Sequence, residues 1–354
     1  MSTDCCHPVK RRKTFFALLF PILAALMLGS CGDPEKEARL QWREEEVNAK
    51  EQDLIRREQK MKEERAAVDI LQSQLNQEKA GIDAIRAQVK TELEKTARAR
   101  RALEIKQLRG PVPTITAERV IVIDVDSNDV LWEKNADKKG PIASTQKLLT
   151  ALVIAEAGDL ESKVTVELSD TQCAPVRIGL KPGEQYTRKQ LLTALMVKSS
   201  NDIAQTLARD NAGTVEAFMK KMNTRALALG LQNSFFVNPH GLPDKVEQFS
   251  TARDLSVIAL AADKRPEIRE MVCLKSFKFE KADGKPEVLD NTNRVLKSNP
   301  YCDGMKTGFT SAAGYCLVAS GQKNGKRRMV IVLNGTSNGV WKDADALLVW
   351  AMKA

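Results

Sequence analysis

A serine and a lysine three residues apart, Ser144 and Lys147 in GPIASTQKLLTALVIAE, are the first pair in this 354-residue chain whose types and spacing could do chemistry. As local structure, Ser144 reads as the N-cap of a helix formed by the apolar run that follows it. A capping box would place Glu or Gln where Lys147 stands. Lys147 is instead a cation in a first turn whose dipole is already positive. At i and i+3 the two side chains share one helix face. A lysine there, walled by apolar residues, loses affinity for its proton and can serve as the general base that activates a serine.

Histidine is scarce. The chain has two, His7 and His240, so a two-histidine metal site of the H-E-x-x-H kind is excluded from everything past the N-terminus. Any Ser-His-Asp triad would rest on His240 alone, and His240 in NPHGLP reads as part of a structural turn between Pro239 and Gly241. Two further stretches answer the Ser144–Lys147 pair. KSSNDIA holds Ser199 and Asn201, and DGMKTGFT holds Lys306, Thr307 and Gly308. Singly, the first is a helix-end turn and the second an exposed strand end. Together and in this order, S-x-x-K, S-x-N and K-T-G form a signature of acyl-transfer serine enzymes.

The elements that must carry these residues fall into three parts. Residues 1–31 read as a targeting segment, with a basic KRRK (Lys10–Lys13), an apolar run (Phe15–Gly29) shorter than a membrane span, and LGSC ending at Cys31. That ending resembles the lipobox of bacterial lipoproteins and marks Cys31 for lipidation. Residues 32–110 read as a helical, coiled-coil-like stalk. Leu40, Val47, Leu54, Met61, Val68, Leu75, Ile82 and Val89 recur every seventh residue, with no proline between Pro34 and Pro111. The companion column is mostly charged (Arg43, Lys50, Arg57, Glu64), so the seam is narrow, and self-association stands beside a lone or partner-bound helix. At 1.5 Å per residue the stalk would reach roughly 110 Å.

Residues 111–354 read as one globular domain. Two strands flank a turn at Asp126–Asp129, and helical periodicities dominate from Pro141 to Lys264. A hairpin is expected around Asp283-Gly284. Three closing strands follow, GMKTGFT, GYCLVASG and RRMVIVLNG, the last two joined by Asn324-Gly325, then a terminal helix in KDADALLVWAMKA. The fold class is α+β, an antiparallel sheet with segregated helices whose early strands complete the late ones. Cys173, Cys273, Cys302 and Cys316 allow three disulfide pairings or free thiols, and no C-x-x-C pair suggests zinc. The net charge of +9 shows no basic block outside the N-terminus, and aromatics are 5%, so no nucleic-acid surface is expected.

The globular part resembles the D-alanyl-D-alanine carboxypeptidases, the low-molecular-mass penicillin-binding proteins. IGLKPGEQYT, LLTALMVKSSNDIAQTLA, MNTRALALGLQNSFFVNPHGLP, STARDL and DGMKTG carry the likeness in order. The resemblance implies a penicillin-binding/β-lactamase-like domain with a helical subdomain, and needs no cofactor or metal. It makes Ser144 the nucleophile, Lys147 its base and Ser199 a proton relay. Asn201 would position the substrate amide, and Lys306 and Thr307 would hold the terminal carboxylate. Gly308 would let the substrate lie along the strand edge, and the backbone N–H groups of Ser144 and Phe309 would form the oxyanion hole. Its implied partners are a peptidoglycan stem peptide and covalent β-lactam inhibitors. Ser200 stands where glycine is usual, a change expected to be tolerated. The alternatives are a DD-endopeptidase using the same site and an inactive wall-binding tether. A β-lactamase is disfavoured because the glutamate-bearing segment of that class has no match. Lipid on Cys31 would hold the enzyme in the bacterial envelope facing the periplasm. Gly32 in place of aspartate favours the outer membrane.

Overall fold

The computed structural model describes residues 34–173 and 175–353; the leader with Cys31 lies outside them. Internal contacts divide the chain at Leu93–Glu94. One unbroken helix, α1 (Pro34–Arg109), accounts for all that is described before this division. Proline at its start and Glu35 and Glu37 in its first turn suit a helix N-terminus. Gly110 ends it at φ +73°, the left-handed C′ conformation that glycine adopts freely, and Pro111 prevents its continuation. Among the described residues no helix is long and apolar enough to cross a membrane.

The second unit is built on a five-stranded antiparallel sheet in the order β2-β1-β9-β8-β7. Its strands are β1 (Arg119–Asp124), β2 (Val130–Lys134), β7 (Cys302–Thr310), β8 (Gly314–Lys323) and β9 (Lys326–Gly335). The early pair completes the late three through β1 against β9, as the strand pattern anticipates. Asn324 and Gly325, both at positive φ, turn β8 into β9. Two short ribbons stand apart from this sheet, β3 (Lys163–Thr165) with β4 (Gln185–Thr187), and β5 (Ser276–Glu280) with β6 (Pro286–Asp290).

Both faces of the main sheet are covered, which is why RVIVID and RRMVIVL are apolar without alternation. Val120, Val122, Leu317, Val330 and Val332 pack against α9 (Gly339–Ala351), which begins three residues before the segment expected from sequence. Ile121, Ile123, Val318, Met329 and Ile331 pack into the helical body. That body consists of α2 (Lys147–Ala157), α3 (Arg188–Lys198), α4 (Asn201–Ala212), α5 (Val215–Ala228), α6 (Ala252–Asp263) and α7 (Pro266–Val272). The short α8 (Arg294–Ser298) lies between β6 and β7. α2 is its axis: Lys147 to Ala155 are all buried, as expected of a helix apolar on every side. α3 opens with a full capping box, Thr187 accepting from the Gln190 amide at 3.1 Å and Gln190 accepting from the Thr187 amide at 2.9 Å.

All four described cysteines are free thiols. Burial holds Cys302 and Cys316 up at about 11, so they behave as small apolar core residues.

Candidate active site

Three segments meet where α2 begins, and each arrives by a different local device. The first corrects the sequence reading. Ser144 is not an N-cap; it is the second residue of a 3₁₀ turn, Ala143–Gln146, that feeds into α2, and no side chain caps that turn. Ala143 enters it at φ +49°, an uncommon conformation for a residue with a Cβ and one of the strained positions that cluster at reactive sites. Lys147, the first residue of α2, then turns inward.

The second segment is the junction of α3 and α4. Ser199 ends α3 at φ +69°, in the left-handed region, and Asn201 starts α4. Ser200 between them is fully buried. Its hydroxyl accepts from the Ile178 amide at 2.9 Å and donates to Asp202, which also accepts from the amides of Gly179 and Leu180. The serine that stands where the resemblance expects glycine is thus satisfied, and it ties the 176–180 loop to α4. The third segment is β7, the edge strand, which brings Lys306, Thr307 and Gly308 past the 3₁₀ turn.

Lys147 is fully buried and central. Its Nζ lies 2.7 Å from Ser144 Oγ, 2.7 Å from Asn201 Oδ1 and 2.9 Å from the His240 carbonyl oxygen. Burial, and then the charge of Lys306, push its affinity for a proton well below that of an ordinary lysine. The contact set suits the neutral amine. Asn201 Oδ1 and the His240 carbonyl can only accept and take its two N–H groups, while the Ser144 hydroxyl can donate to its lone pair. A lysine in this state can act as a base toward the hydroxyl it touches.

His240 contributes its backbone and not its ring. Ser144 Oγ also approaches its carbonyl, at 3.2 Å. The ring Nδ1 accepts from the Leu242 amide at 3.2 Å, and burial together with Lys147 lowers the ring to about 3, too low for a base at neutral pH. Asn238 holds the turn, accepting from the Gly241 amide at 2.8 Å and donating to the Leu242 carbonyl at 2.9 Å. Gly241 is obligatory here: φ is +88°, and a Cβ would sit 2.1 Å from the Ala143 carbonyl oxygen. Replacing His240 with Gln is therefore expected to leave acylation by penicillin within a few-fold of the parent rate. A folded variant that no longer acylates would show that the ring takes part.

The other predicted residues are placed as follows. Ser199 lines the same junction, and its hydroxyl makes no hydrogen bond to a described residue. Asn201 is committed on both sides, to Lys147 and, through Nδ2, to the Pro175 carbonyl. Thr307 Oγ1 shares a 2.6 Å hydrogen bond with Thr292 Oγ1. Lys306 is buried, and the one hydrogen bond of its amine among the described residues is to the Thr307 carbonyl at 3.1 Å. Gly308 has a structural reason besides the one expected. A Cβ there would lie 2.8 Å from the Ser144 amide nitrogen and 3.0 Å from that of Thr145, so glycine lets the strand touch the Ser144 turn. Phe309 beside it exposes its ring, stacked on Tyr315 at 4.3 Å.

Sequence reasoning missed the residues that hold β7. Asn293 caps α8, accepting from the Val295 amide at 3.0 Å, and its Nδ2 donates to the Gly304 carbonyl at 2.9 Å. Asp303 pairs with the buried Arg327, which Asp263 also grips. An N-cap asparagine is a readable signal, but its second bond is not.

Burial alone lowers Lys306 to about 7. Between pH 7 and 10.5 the unfolded chain therefore holds a proton that the folded site does not, and stability rises with pH across that window. Below it both states are protonated and the cost of burying the charge is fully present. Lys306→Met is expected to raise the thermal midpoint at pH 6 and to flatten the rise above pH 7. A lower midpoint at pH 6 would contradict this.

The family model described as D-alanyl-D-alanine carboxypeptidase, peptidase family S11, matches residues 106–337. D-alanyl-D-alanine carboxypeptidase DacF of Bacillus subtilis is 34% identical over 226 residues, 62% of this chain but only 58% of that relative's length. A D-alanyl-D-alanine endopeptidase of Escherichia coli is 32% identical over 243 residues, covering 67% of this chain and 78% of its own. The crystal structure of a D-alanyl-D-alanine carboxypeptidase from Mycobacterium tuberculosis superimposes with a TM-score of 0.66 at 34% identity, over 69% of this chain and 94% of that one.

Proposed function

Because the chain belongs to the D-alanyl-D-alanine carboxypeptidase family of serine peptidases, we propose that it removes the terminal D-alanine from peptidoglycan stem pentapeptides through an acyl-enzyme on Ser144. The observation that carries this is the 2.7 Å contact between Ser144 Oγ and a buried lysine of lowered proton affinity. Ser144 Oγ attacks the carbonyl between the two D-alanines as Lys147 takes its proton. The negative charge that develops falls to the backbone N–H groups of Ser144 and Phe309. Collapse of the intermediate breaks the peptide bond, and the proton passes from Lys147 through the Ser199 hydroxyl to the departing amine. Water, deprotonated by Lys147, then attacks the ester, releases the shortened peptide and restores the Ser144 hydroxyl.

Lys306 and Thr307 hold the terminal carboxylate in this scheme. That anion supplies the counter-charge Lys306 lacks and draws a proton onto its amine, which makes a free C-terminus a condition of tight binding. The open edge of β7 supports docking of the peptide as an added strand, and β-lactams enter by the same route. Asn201, already bonded to Lys147, orients the base as well as the substrate amide. The 1–31 segment supports export and a lipid anchor at Cys31 on the periplasmic side of the outer membrane, with α1 as the spacer.

The endopeptidase relative supports a second reading, in which the departing amine belongs to a cross-linked neighbour instead of free D-alanine. Purified protein given pentapeptide muropeptides and cross-linked dimers separates the two. Carboxypeptidase activity releases free D-alanine, and endopeptidase activity converts dimers to monomers. Neither product would leave a wall-binding protein without activity and overturn the proposal.

A further inference from the structure

Asn291, Thr292 and Asn293 lie between β6 and α8, and the two asparagines on either side of the threonine are buried. Asn291 donates through its backbone N–H to the Lys275 carbonyl at 3.0 Å and through Nδ2 to the Leu274 carbonyl at 2.8 Å. Its Oδ1 accepts from the Asn293 amide at 2.9 Å, and Asn293 Nδ2 reaches the Gly304 carbonyl of β7. The Thr292 amide donates to the Val197 carbonyl of α3 at 3.3 Å. Held in this way by its backbone and its neighbours, Thr292 is itself exposed. Its hydroxyl has one hydrogen bond among the described residues, the 2.6 Å contact with Thr307 Oγ1, and Thr307 Oγ1 has no other. Asn293 already joins this loop to β7 at Gly304, so the strand does not depend on the hydroxyl pair for its attachment.

Two hydroxyls in contact own two protons, and only one of these can lie between the oxygens. The other stays on the hydroxyl that accepts, free to be donated outward. A carboxylate can only accept, so a hydroxyl that meets one while paired must be the acceptor of its pair. We propose that Thr292 is a positioning residue for the terminal carboxylate: its hydroxyl donates to Thr307 Oγ1 and so turns the Thr307 proton toward the substrate. This rests on the assignment of Lys306 and Thr307 to that carboxylate. Accepting one hydrogen bond strengthens the one a hydroxyl gives, and it stops the Thr307 hydroxyl from turning. Lys306 then supplies charge and Thr307 supplies direction. The buried asparagines keep that direction fixed by holding the backbone from which Thr292 reaches across.

The test is steady-state hydrolysis of an acyl-D-alanyl thioglycolate by the full chain in detergent, with the substrate as its free acid and as its methyl ester. Thr292→Val keeps the shape of the side chain and removes its hydroxyl. It should raise KM on the free acid about fivefold, the scale of one lost hydrogen bond. The value of kcat should hold, because a contact made equally in ground and transition states shows in KM alone. Turnover of the methyl ester should be unchanged, which also serves as the folding control, and Thr292→Ser should restore the free acid. In a Thr307→Val background the Thr292 change should cost nothing further, since the two hydroxyls act as a unit. Equal losses on acid and ester, a fall in kcat alone, or a second loss of the same size without Thr307 would overturn the proposal. So would parent kinetics of Thr292→Val on both substrates. A parent enzyme that cleaves the acid no faster than the ester would overturn it together with the carboxylate assignment, and one that cleaves neither would overturn it together with the proposed function.

Discussion

Lys147→Met is expected to slow acylation by penicillin by about 10³-fold while the protein stays folded, a loss in the range known for removal of a general base. The size follows from the site's composition. The one histidine ring nearby is held at about 3 and turned to the Leu242 amide, and among the described residues Lys147 carries the only side-chain amine hydrogen-bonded to Ser144 Oγ. Methionine keeps the length and apolar stem of the buried side chain. It removes the amine whose charged form the site disfavours, so the thermal midpoint should hold or rise, even though Asn201 Oδ1 and the His240 carbonyl lose a donor. Stopped-flow acylation with a chromogenic cephalosporin, beside a melting curve, separates the two effects. A stable variant that acylates at the parent rate would remove Lys147 from the chemistry.

Gly308→Ala is expected to cost about 10²-fold in acylation, the scale of loss that a misplacement of about 1 Å brings, and to lower stability by about 1–3 kcal/mol while the protein still folds. The added Cβ would lie 2.8 Å from the Ser144 amide nitrogen, and neither neighbour is a flexible side-chain end that can swing aside. Either β7 or the 3₁₀ turn must move, and both carry groups that have to converge on one carbonyl. Gly81→Ala is the control. Nothing lies within 4 Å of a Cβ there, so activity should be unchanged. Equal behaviour of the two variants, measured as kcat/KM on pentapeptide, would mean that strand and turn can separate without consequence.

Much of the fold was legible because its signals are local. Apolar runs bounded by Asn324-Gly325 gave the long strands, and seven-residue recurrence gave α1. The ribbon of β3 and β4 was not legible, since three-residue strands with one buried side chain each leave no periodicity to read. At the site, the order of the three motifs pointed to residues that the structure brings together, Ser144 with Lys147 and Asn201, and Lys306 to Gly308 alongside them. The His240 carbonyl was hidden because a backbone oxygen has no letter in the sequence. Gly308 was noticed for a substrate strand and not for its contact within the chain. A glycine announces that something comes close, and only the folded chain shows that it is the Ser144 turn. Ser144 itself looked like a cap because a 3₁₀ entry and an N-cap draw on the same small polar residues.

The account turns on one bond, the ester that an acyl donor should form with Ser144. Intact protein incubated with penicillin should gain the mass of one penicilloyl group. Peptide mapping should place that group on Ser144, and Ser144→Ala should take up none. Attachment at Ser199 instead, or labelling that persists in Ser144→Ala, would contradict it.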